Sequence, residues 1–199
     1  MIRRRLAIVI VLVGESGCGK SSLAKRLSEL KPSFSKVVTY TTRPMRTGET
    51  DGIDYHFIDN DTFDDLKQKG FFFEYAQYRE WQYGTAANFS KDEDKIIILT
   101  PAGARALRRY AAQHNLLDFI RVVYLNVDRR SRLVNILKRG DNIEEAYRRS
   151  LSDVGQFDSF DKEADKTLYN ENYVFSIDEL CKILITYIEI ERKENEQNI

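Results

Sequence analysis

Cysteine and histidine are scarce in this chain of 199 residues, and its acidic and basic residues are equal in number. The two cysteines, Cys18 and Cys181, are too few and too far apart in sequence for a disulfide framework, which favours a reduced, cytoplasmic compartment. The two histidines, His56 and His114, have no cysteine or histidine neighbours at metal-ligand spacing, so we expect no zinc site. With 31 basic and 31 acidic residues, the overall charge gives no reason to expect a nucleic-acid or membrane partner. Any attraction for phosphate groups must therefore be local.

Long apolar runs are also missing. The most apolar segment, residues 6–13, is too short to cross a bilayer. Three arginines precede it, which is the order of a signal peptide, but it continues into Gly14-Glu15-Ser16-Gly17 without a small-x-small cleavage site. Because residues on both faces of the segment are apolar, we expect a buried strand of a parallel sheet.

Segments typical of strands alternate along the chain with segments typical of helices. The strand segments are rich in Ile, Val, Leu or aromatic residues and cover residues 6–13, 96–100, 119–127 and 167–169. The helical segments cover residues 20–30, 102–113, 129–138, 143–157 and 177–191. This alternation predicts an α/β fold in which a parallel sheet is flanked by helices on both faces. Residues 192–199 are mostly polar, and we expect them to fray.

Residues 34–85 break this alternation. They contain short extended pieces at residues 37–41 and 55–58, a small helix over residues 61–70, and many aromatic residues. We therefore expect an inserted α+β subdomain. Its core is assigned to His56 and to the aromatic side chains Phe71, Phe72, Phe73 and Trp81.

A complete G-x-x-x-x-G-K-[ST] motif stands between the first strand and the first helix. It consists of Gly14, Glu15, Ser16, Gly17, Cys18, Gly19, Lys20 and Ser21, and Ser22 follows it. Its glycines let successive N–H groups face a phosphate, and the helix N-terminus adds partial positive charge. Lys20 is placed to reach the β- and γ-phosphates of ATP, and the Ser21 hydroxyl is placed to bind Mg²⁺. A glycine-rich turn without a ligand is the alternative, and the Lys-Ser pair disfavours it.

Two arginines, Arg43 and Arg46, flank Pro44 within the insertion, with threonine hydroxyls before them and Tyr55 after them. Guanidinium groups and hydroxyls together suit the phosphate of a monoester. Taken alone, the segment is equally compatible with a solvated loop that carries surface charges.

Taken with the glycine loop, this segment resembles the guanylate kinase family. The resemblance continues through Phe73-Glu74-Tyr75-Ala76 and Gln82-Tyr83-Gly84-Thr85, is strongest over residues 13–85 and covers most of the chain. It implies the P-loop NTPase fold in a single domain with three parts. These are a core (residues 1–33, 86–128 and 151–199), a nucleoside monophosphate-binding subdomain (residues 34–85) and a short lid (about residues 129–150).

The resemblance also implies a role for each matching residue. The phosphate of the acceptor would be held by Arg43, Arg46, Tyr55 and Tyr83. The guanine base would be recognised by Glu74, Thr39 and Thr85. Glu49 would orient the arginines or contact the acceptor. In the lid, Arg139 and either Arg148 or Arg149, with Arg149 preferred, would stabilise the transferring phosphoryl group, and Asn170 would lie near adenine. A solvated basic helix face is the alternative for the lid arginines.

The chain departs from the family pattern at the end of the second strand. Ile98 and Thr100 stand where acidic residues are usual, which weakens the expectation of strict guanine selection and of efficient metal-assisted transfer. Glu15 stands where proline is common, and one hypothesis is that it compensates as an outer-shell acid for Mg²⁺.

The sequence thus predicts ATP- and Mg²⁺-dependent phosphorylation of GMP or dGMP by a cytoplasmic monomer or homodimer. Two alternatives remain open: a guanylate kinase-like binding module that has lost catalysis, and a P-loop kinase for another nucleotide or a sugar phosphate.

Overall fold

The computed structural model describes residues 7–45, 48–78, 80–86, 93–138 and 143–197. The strands are β1 (Val9–Val13), β2 (Phe34–Lys36), β3 (Thr39–Thr41), β4 (Tyr55–Phe57), β5 (Phe72–Tyr78), β6 (Trp81–Ala86), β7 (Asp94–Ile98), β8 (Ile120–Asn126) and β9 (Lys166–Tyr169). The helices are α1 (Lys20–Leu30), α2 (Asn60–Gln68), α3 (Pro101–Gln113), α4 (Arg129–Lys138), α5 (Ile143–Ser152) and α6 (Ile177–Gln197). None of the helices in these ranges combines the length and the apolarity needed to cross a bilayer.

Five parallel strands form the central sheet in the order β2-β7-β1-β8-β9. Every residue of β1 is buried. Because side chains alternate between the two faces of a strand, Ile10 and Leu12 pack on one side, in a cluster that includes residues of α1 and α6. Val9, Val11 and Val13 pack on the other side, in a cluster that includes residues of α3. This confirms the predicted α/β fold with a helix-flanked parallel sheet.

A second sheet of four strands, in the order β4-β3-β6-β5, is built from residues of the insertion. It is mixed, because β3 and β4 are parallel while β6 is antiparallel to β3 and β5. Phe63 of α2 is fully buried and stacks on Phe72 with ring centroids 4.7 Å apart. Tyr40 packs against His56, at 4.5 Å between centroids, as expected for the core of the insertion.

Two details of the insertion differ from the prediction. Residues 34–36 form β2, which pairs with β7 of the central sheet, so the smaller sheet begins only at Thr39. Phe73 faces away from the smaller sheet and lies 6.0 Å from the Tyr110 ring of α3, against the main core. A three-residue strand such as β2 carries too little local pattern to reveal which sheet it joins.

The C-terminal helix is longer than predicted. We expected fraying from residue 192, but α6 continues to Gln197. The Arg192 guanidinium lies 2.6 Å from a buried carboxylate, Asp94 at the start of β7. Asp94 also accepts hydrogen bonds from the Ile8 N–H and the Ser33 hydroxyl. The ion pair between Arg192 and Asp94 anchors the start of a polar segment that its own sequence would leave frayed.

The end of the second predicted strand also differs. Instead of extending to residue 100, β7 ends at Ile98, and Thr100 is the N-cap of α3, whose hydroxyl oxygen accepts a hydrogen bond from the Gly103 N–H at 3.1 Å. Helix α5 ends at Ser152 rather than near residue 157. Phe157 instead lies in turns beyond the helix and packs in the main core.

Candidate active site

The glycine loop connects the carboxyl end of β1 to α1, at the edge of a parallel sheet where ligands bind in this class of fold. Gly17 and Gly19 have φ angles of +86° and +100°, which side chains other than glycine rarely adopt. A Cβ on Gly17 would also lie 2.7 Å from the Arg132 carbonyl oxygen of α4. Gly19 is the N-cap of α1, and because it has no side chain it leaves the first N–H groups of the helix to a ligand.

The Lys20 ammonium lies across the loop and donates hydrogen bonds to the carbonyl oxygens of Gly14, at 2.5 Å, and Glu15, at 3.0 Å. Its positive charge is therefore held where the motif binds phosphates. Cys18 is buried beside it, and burial raises the pKa of the thiol although Lys20 opposes this. A neutral, buried thiol is consistent with a packing role for Cys18 in the loop.

Ser21 and Ser22 are exposed on the first turn of α1. Within the described ranges there is no group of three or more histidine, cysteine or carboxylate side chains able to hold a metal ion. Mg²⁺ is commonly bound through few protein groups together with substrate phosphates and water. Ser21, exposed in the first turn of α1 directly after the loop, fits that mode of binding.

Glu15 is engaged by two neighbouring elements. One carboxylate oxygen lies 3.1 Å from the guanidinium of Arg132 in α4, which is only 7% exposed. The other accepts a hydrogen bond from the Tyr124 hydroxyl of β8 at 3.1 Å. These contacts connect the loop to α4 and β8. The hypothesis that Glu15 acts as an outer-shell acid for Mg²⁺ did not include these two structural partners. Burial, with the Glu15 charge adding to it, raises the pKa of Tyr124.

Asp153, in the turn after α5, also contacts the loop. Its carboxylate accepts a hydrogen bond from the Ser16 N–H at 2.7 Å. The sequence analysis assigns no specific contact to Asp153, Tyr124 or Arg132. No local pattern marks these positions, because their partners are remote in sequence.

Arg43 is held in a defined orientation on the smaller sheet. Its guanidinium donates two hydrogen bonds to Glu49, at 2.7 and 2.9 Å, and one to the Pro44 carbonyl oxygen at 2.7 Å. The Tyr55 ring centroid lies 5.5 Å from its guanidinium carbon. Glu49 thus orients Arg43, one of the two roles expected for it. The Tyr83 ring lies 6.1 Å from that of Tyr55.

The structure therefore brings three of the four predicted phosphate-binding residues, Arg43, Tyr55 and Tyr83, into one cluster. Arg46 lies outside the described residues.

Glu74 of β5 and Thr85 of β6 are paired across the smaller sheet. The Thr85 hydroxyl donates to the Glu74 carboxylate at 2.8 Å. Burial raises the pKa of the Glu74 carboxyl, and the bond from Thr85 offsets this only in part. A Cβ on Gly103 of α3 would lie 3.3 Å from the carboxylate, so Glu74 packs close to the first turn of α3. Thr39 lies in the adjacent strand β3, partly buried.

The resemblance leads to the expectation of acidic residues at positions 98 and 100, where this chain has Ile and Thr. Thr100 caps α3, and Ile98 packs partly buried against the main core. Neither residue supplies a carboxylate to a metal or to the acceptor.

The predicted lid residues are only partly described. Arg139 lies outside the described residues, and so does the side chain of Arg149, whose backbone belongs to α5. Helix α4 packs directly on the glycine loop through Arg132 and Asn135.

Asn170, predicted to lie near adenine, is 1% exposed. Its side-chain amide donates to the Phe175 carbonyl oxygen at 3.0 Å and accepts from the Phe175 N–H at 2.8 Å. Asn170 therefore shapes the turn that follows β9. A cavity of about 280 Å³ lies between part of this turn and α4, and its wall includes Arg130, Asn135, Asn172 and Tyr173. The sequence analysis assigns no role to Asn135, Asn172 or Tyr173.

Comparison with known proteins gives a consistent result. A family model described as guanylate kinase matches residues 7–189. The guanylate kinase of Nitratidesulfovibrio vulgaris is 34% identical, over 90% of this chain and 87% of its own. That of Oleidesulfovibrio alaskensis is 35% identical, over 77% and 75%. Among solved structures, guanylate kinase from Anaplasma phagocytophilum has a TM-score of 0.66 at 19% identity, covering 94% of this chain and 87% of its own, which is a likeness of fold.

Proposed function

Because this chain belongs to the guanylate kinase family, we propose that it transfers the γ-phosphate of ATP to GMP or dGMP. A phosphate oxygen of the acceptor attacks the γ-phosphorus, the bond to the β-phosphate oxygen breaks, and ADP and GDP (or dGDP) leave. The observation that carries the proposal is that one fold contains a complete phosphate loop, an arginine oriented by Glu49 and a half-buried carboxylate, that of Glu74.

Lys20 and the N-terminus of α1 bind the donor in this proposal. The ammonium already lies over the loop, bound to the Gly14 and Glu15 carbonyl oxygens. It would stabilise the charge that develops on the β- and γ-phosphates during transfer. Mg²⁺, held by the Ser21 hydroxyl and the phosphate oxygens, would supply further charge neutralisation.

Arg43, Tyr55 and Tyr83 bind the phosphate of the acceptor, together with Arg46. Glu49 already accepts two hydrogen bonds from Arg43. The guanidinium is therefore preorganised, and little side-chain entropy remains to be lost when phosphate binds.

Glu74 selects guanine, with Thr39 and Thr85. Its carboxylate accepts hydrogen bonds from the ring N–H and the exocyclic amino group of guanine. Adenine does not present this pair of donors, so it would leave a half-buried carboxylate without partners. Because burial already raises the pKa of Glu74, the cost of an unsatisfied charge here is high.

We also propose the three-part division stated above, with the acceptor-binding part built on the smaller sheet from β3 onward. In this division, Arg139 and Arg149 stabilise the transferring phosphoryl group. Asn170 shapes the turn on the side of the donor site where adenine binds. Cytoplasmic purine nucleotide metabolism, as a monomer or homodimer, is the setting in which this activity is expected.

A coupled assay of ADP release tests the function. The purified chain is given ATP and Mg²⁺ with GMP, dGMP, AMP, UMP, CMP or ribose phosphates. We expect turnover with GMP and dGMP, and a loss of at least about a hundredfold in Lys20→Met. Lys25→Met, an exposed position further along α1, is the matched control and should retain activity. Nucleotide binding without turnover of any acceptor would refute the proposal, and so would turnover of a non-guanine acceptor alone.

A further inference from the structure

Two side chains from separate elements converge on one carbonyl oxygen of the glycine loop. The Tyr173 hydroxyl, from the turn after β9, donates to the Gly17 carbonyl oxygen at 2.5 Å. The side-chain amide of Asn135, from α4, donates to the same oxygen at 2.8 Å. Because both donors lie outside the loop, the Gly17 carbonyl group points away from the space in which phosphates bind.

The turn that carries Tyr173 is strained. Asn172 and Tyr173 have φ angles of +53° and +52°, which are uncommon for asparagine and unusual for a bulky residue such as tyrosine. One tertiary and one local contact hold this conformation. The Asn172 N–H donates to Asp128 at 2.8 Å, and within the turn itself the Tyr173 N–H donates to the Asn170 carbonyl oxygen at 3.2 Å. Asp128 also caps the first turn of α4 through the Ser131 N–H. Backbone strain that the surrounding fold maintains often serves a functional geometry.

The direction of the Gly17 carbonyl group determines the direction of the next N–H group. In a trans peptide the C=O and N–H bonds point in opposite directions. An outward Gly17 carbonyl therefore turns the Cys18 N–H toward the inside of the loop, where it lies 3.3 Å from the Glu15 carbonyl oxygen, a long hydrogen bond. Because glycine has no side chain, Gly17 opposes rotation of this peptide less than any other residue type at that position would.

We propose that Tyr173 and Asn135 are positioning residues for the donor, holding the peptide between Gly17 and Cys18 in the orientation that binds the triphosphate. The inference rests on the proposed use of a nucleoside triphosphate. It assigns these two residues to binding of the phosphates of the donor. Both also line the cavity of about 280 Å³ between α4 and the turn. A direct contact with the base is therefore the competing explanation.

The test compares ligands with and without a base. Affinities for ATP, CTP and inorganic tripolyphosphate, each with Mg²⁺, are measured by calorimetry for Tyr173→Phe, Asn135→Ala and the double variant. Tyr169→Phe, 57% exposed at the end of β9, is the matched control. Each single variant should lower all three affinities by the same factor, about three- to tenfold. The double variant should lose more than the product of the single losses, because each remaining donor still holds the carbonyl group.

Steady-state kinetics give a second readout. We expect the KM for ATP to rise in Tyr173→Phe while the KM for GMP stays as in the wild type. Weaker ATP binding with unchanged tripolyphosphate affinity would overturn the proposal in favour of a base contact. A lower melting temperature without any change in affinity would overturn it in favour of a purely structural role. Activity of the wild type toward another acceptor alone would contradict the proposed function. It would not affect the conclusion drawn about Tyr173 and Asn135 from the affinities.

Discussion

Replacing Glu74 with glutamine is the perturbation that most directly probes the proposed selection of guanine. Glutamine has nearly the same shape and can still accept the hydrogen bond from Thr85, which the structure shows at 2.8 Å. It can accept only one of the two guanine donors, and its amide nitrogen would face the other. Hydrogen bonds to a charged group contribute about 1.5–3 kcal/mol each. We therefore expect kcat/KM for GMP to fall roughly a hundredfold, with a smaller change for AMP.

The pH dependence gives an independent signature of the same carboxylate. Burial raises the pKa of Glu74 above the usual range for glutamate. Guanine binding requires the ionised form, so kcat/KM for GMP should fall as the pH is lowered through that pKa. In Glu74→Gln this acidic decline should be absent.

Stability should change in the opposite direction to activity. Because the pKa of Glu74 is higher in the folded than in the unfolded chain, its ionisation destabilises the free protein at neutral pH. This penalty disappears as the pH falls through the folded-state pKa. Glu74→Gln should therefore raise the melting temperature of the ligand-free protein at neutral pH, and the gain should shrink in acid.

The assays are steady-state kinetics with GMP and AMP and thermal unfolding across a pH series. Glu189→Gln, an exposed position in α6 that pairs with Lys31, controls for the loss of one negative charge. Unchanged GMP kinetics in Glu74→Gln would refute the assigned role of the carboxylate. An acidic decline that persists in the variant would assign that titration to another group.

Two further perturbations concern buried ion pairs. Arg132→Met leaves Glu15 without its cation and should destabilise the protein by about 3 kcal/mol in urea unfolding. The double variant Arg132→Met/Glu15→Gln should recover part of this loss. If the effects of the two substitutions simply add, the pair is not coupled. Asp94→Asn disturbs the contacts with Ile8 and Arg192 and should lower the free energy of unfolding by about 2–3 kcal/mol in the same measurement. A change within about 0.5 kcal/mol of zero would contradict the view that Asp94 anchors the C-terminal part of α6.

Local sequence patterns are sufficient to predict the bounds of elements whose apolar residues follow a clear period. The bounds of α1 and α4 agree with the predicted segments, and β1 is buried on both faces as expected. Patterns failed where a short or polar segment depends on distant partners. The strand β2 joins the central sheet through pairing with β7, and Arg192 of α6 is held by Asp94. A capping threonine at position 100 was mistaken for the end of a strand, because Thr is also favoured in strands.

The sequence by itself determined the phosphate-loop motif and the family, and it predicts the arginine and carboxylate chemistry of the insertion. Each of these depends on residue types at fixed short spacings, which a chain carries regardless of how it folds. Only the tertiary structure decided how the loop is supported. Glu15 meets Arg132, Ser16 meets Asp153, and Gly17 meets Tyr173 and Asn135, in each case from elements more than a hundred residues away. Contacts of that range arise from sheet order and helix packing, and no local spacing encodes them.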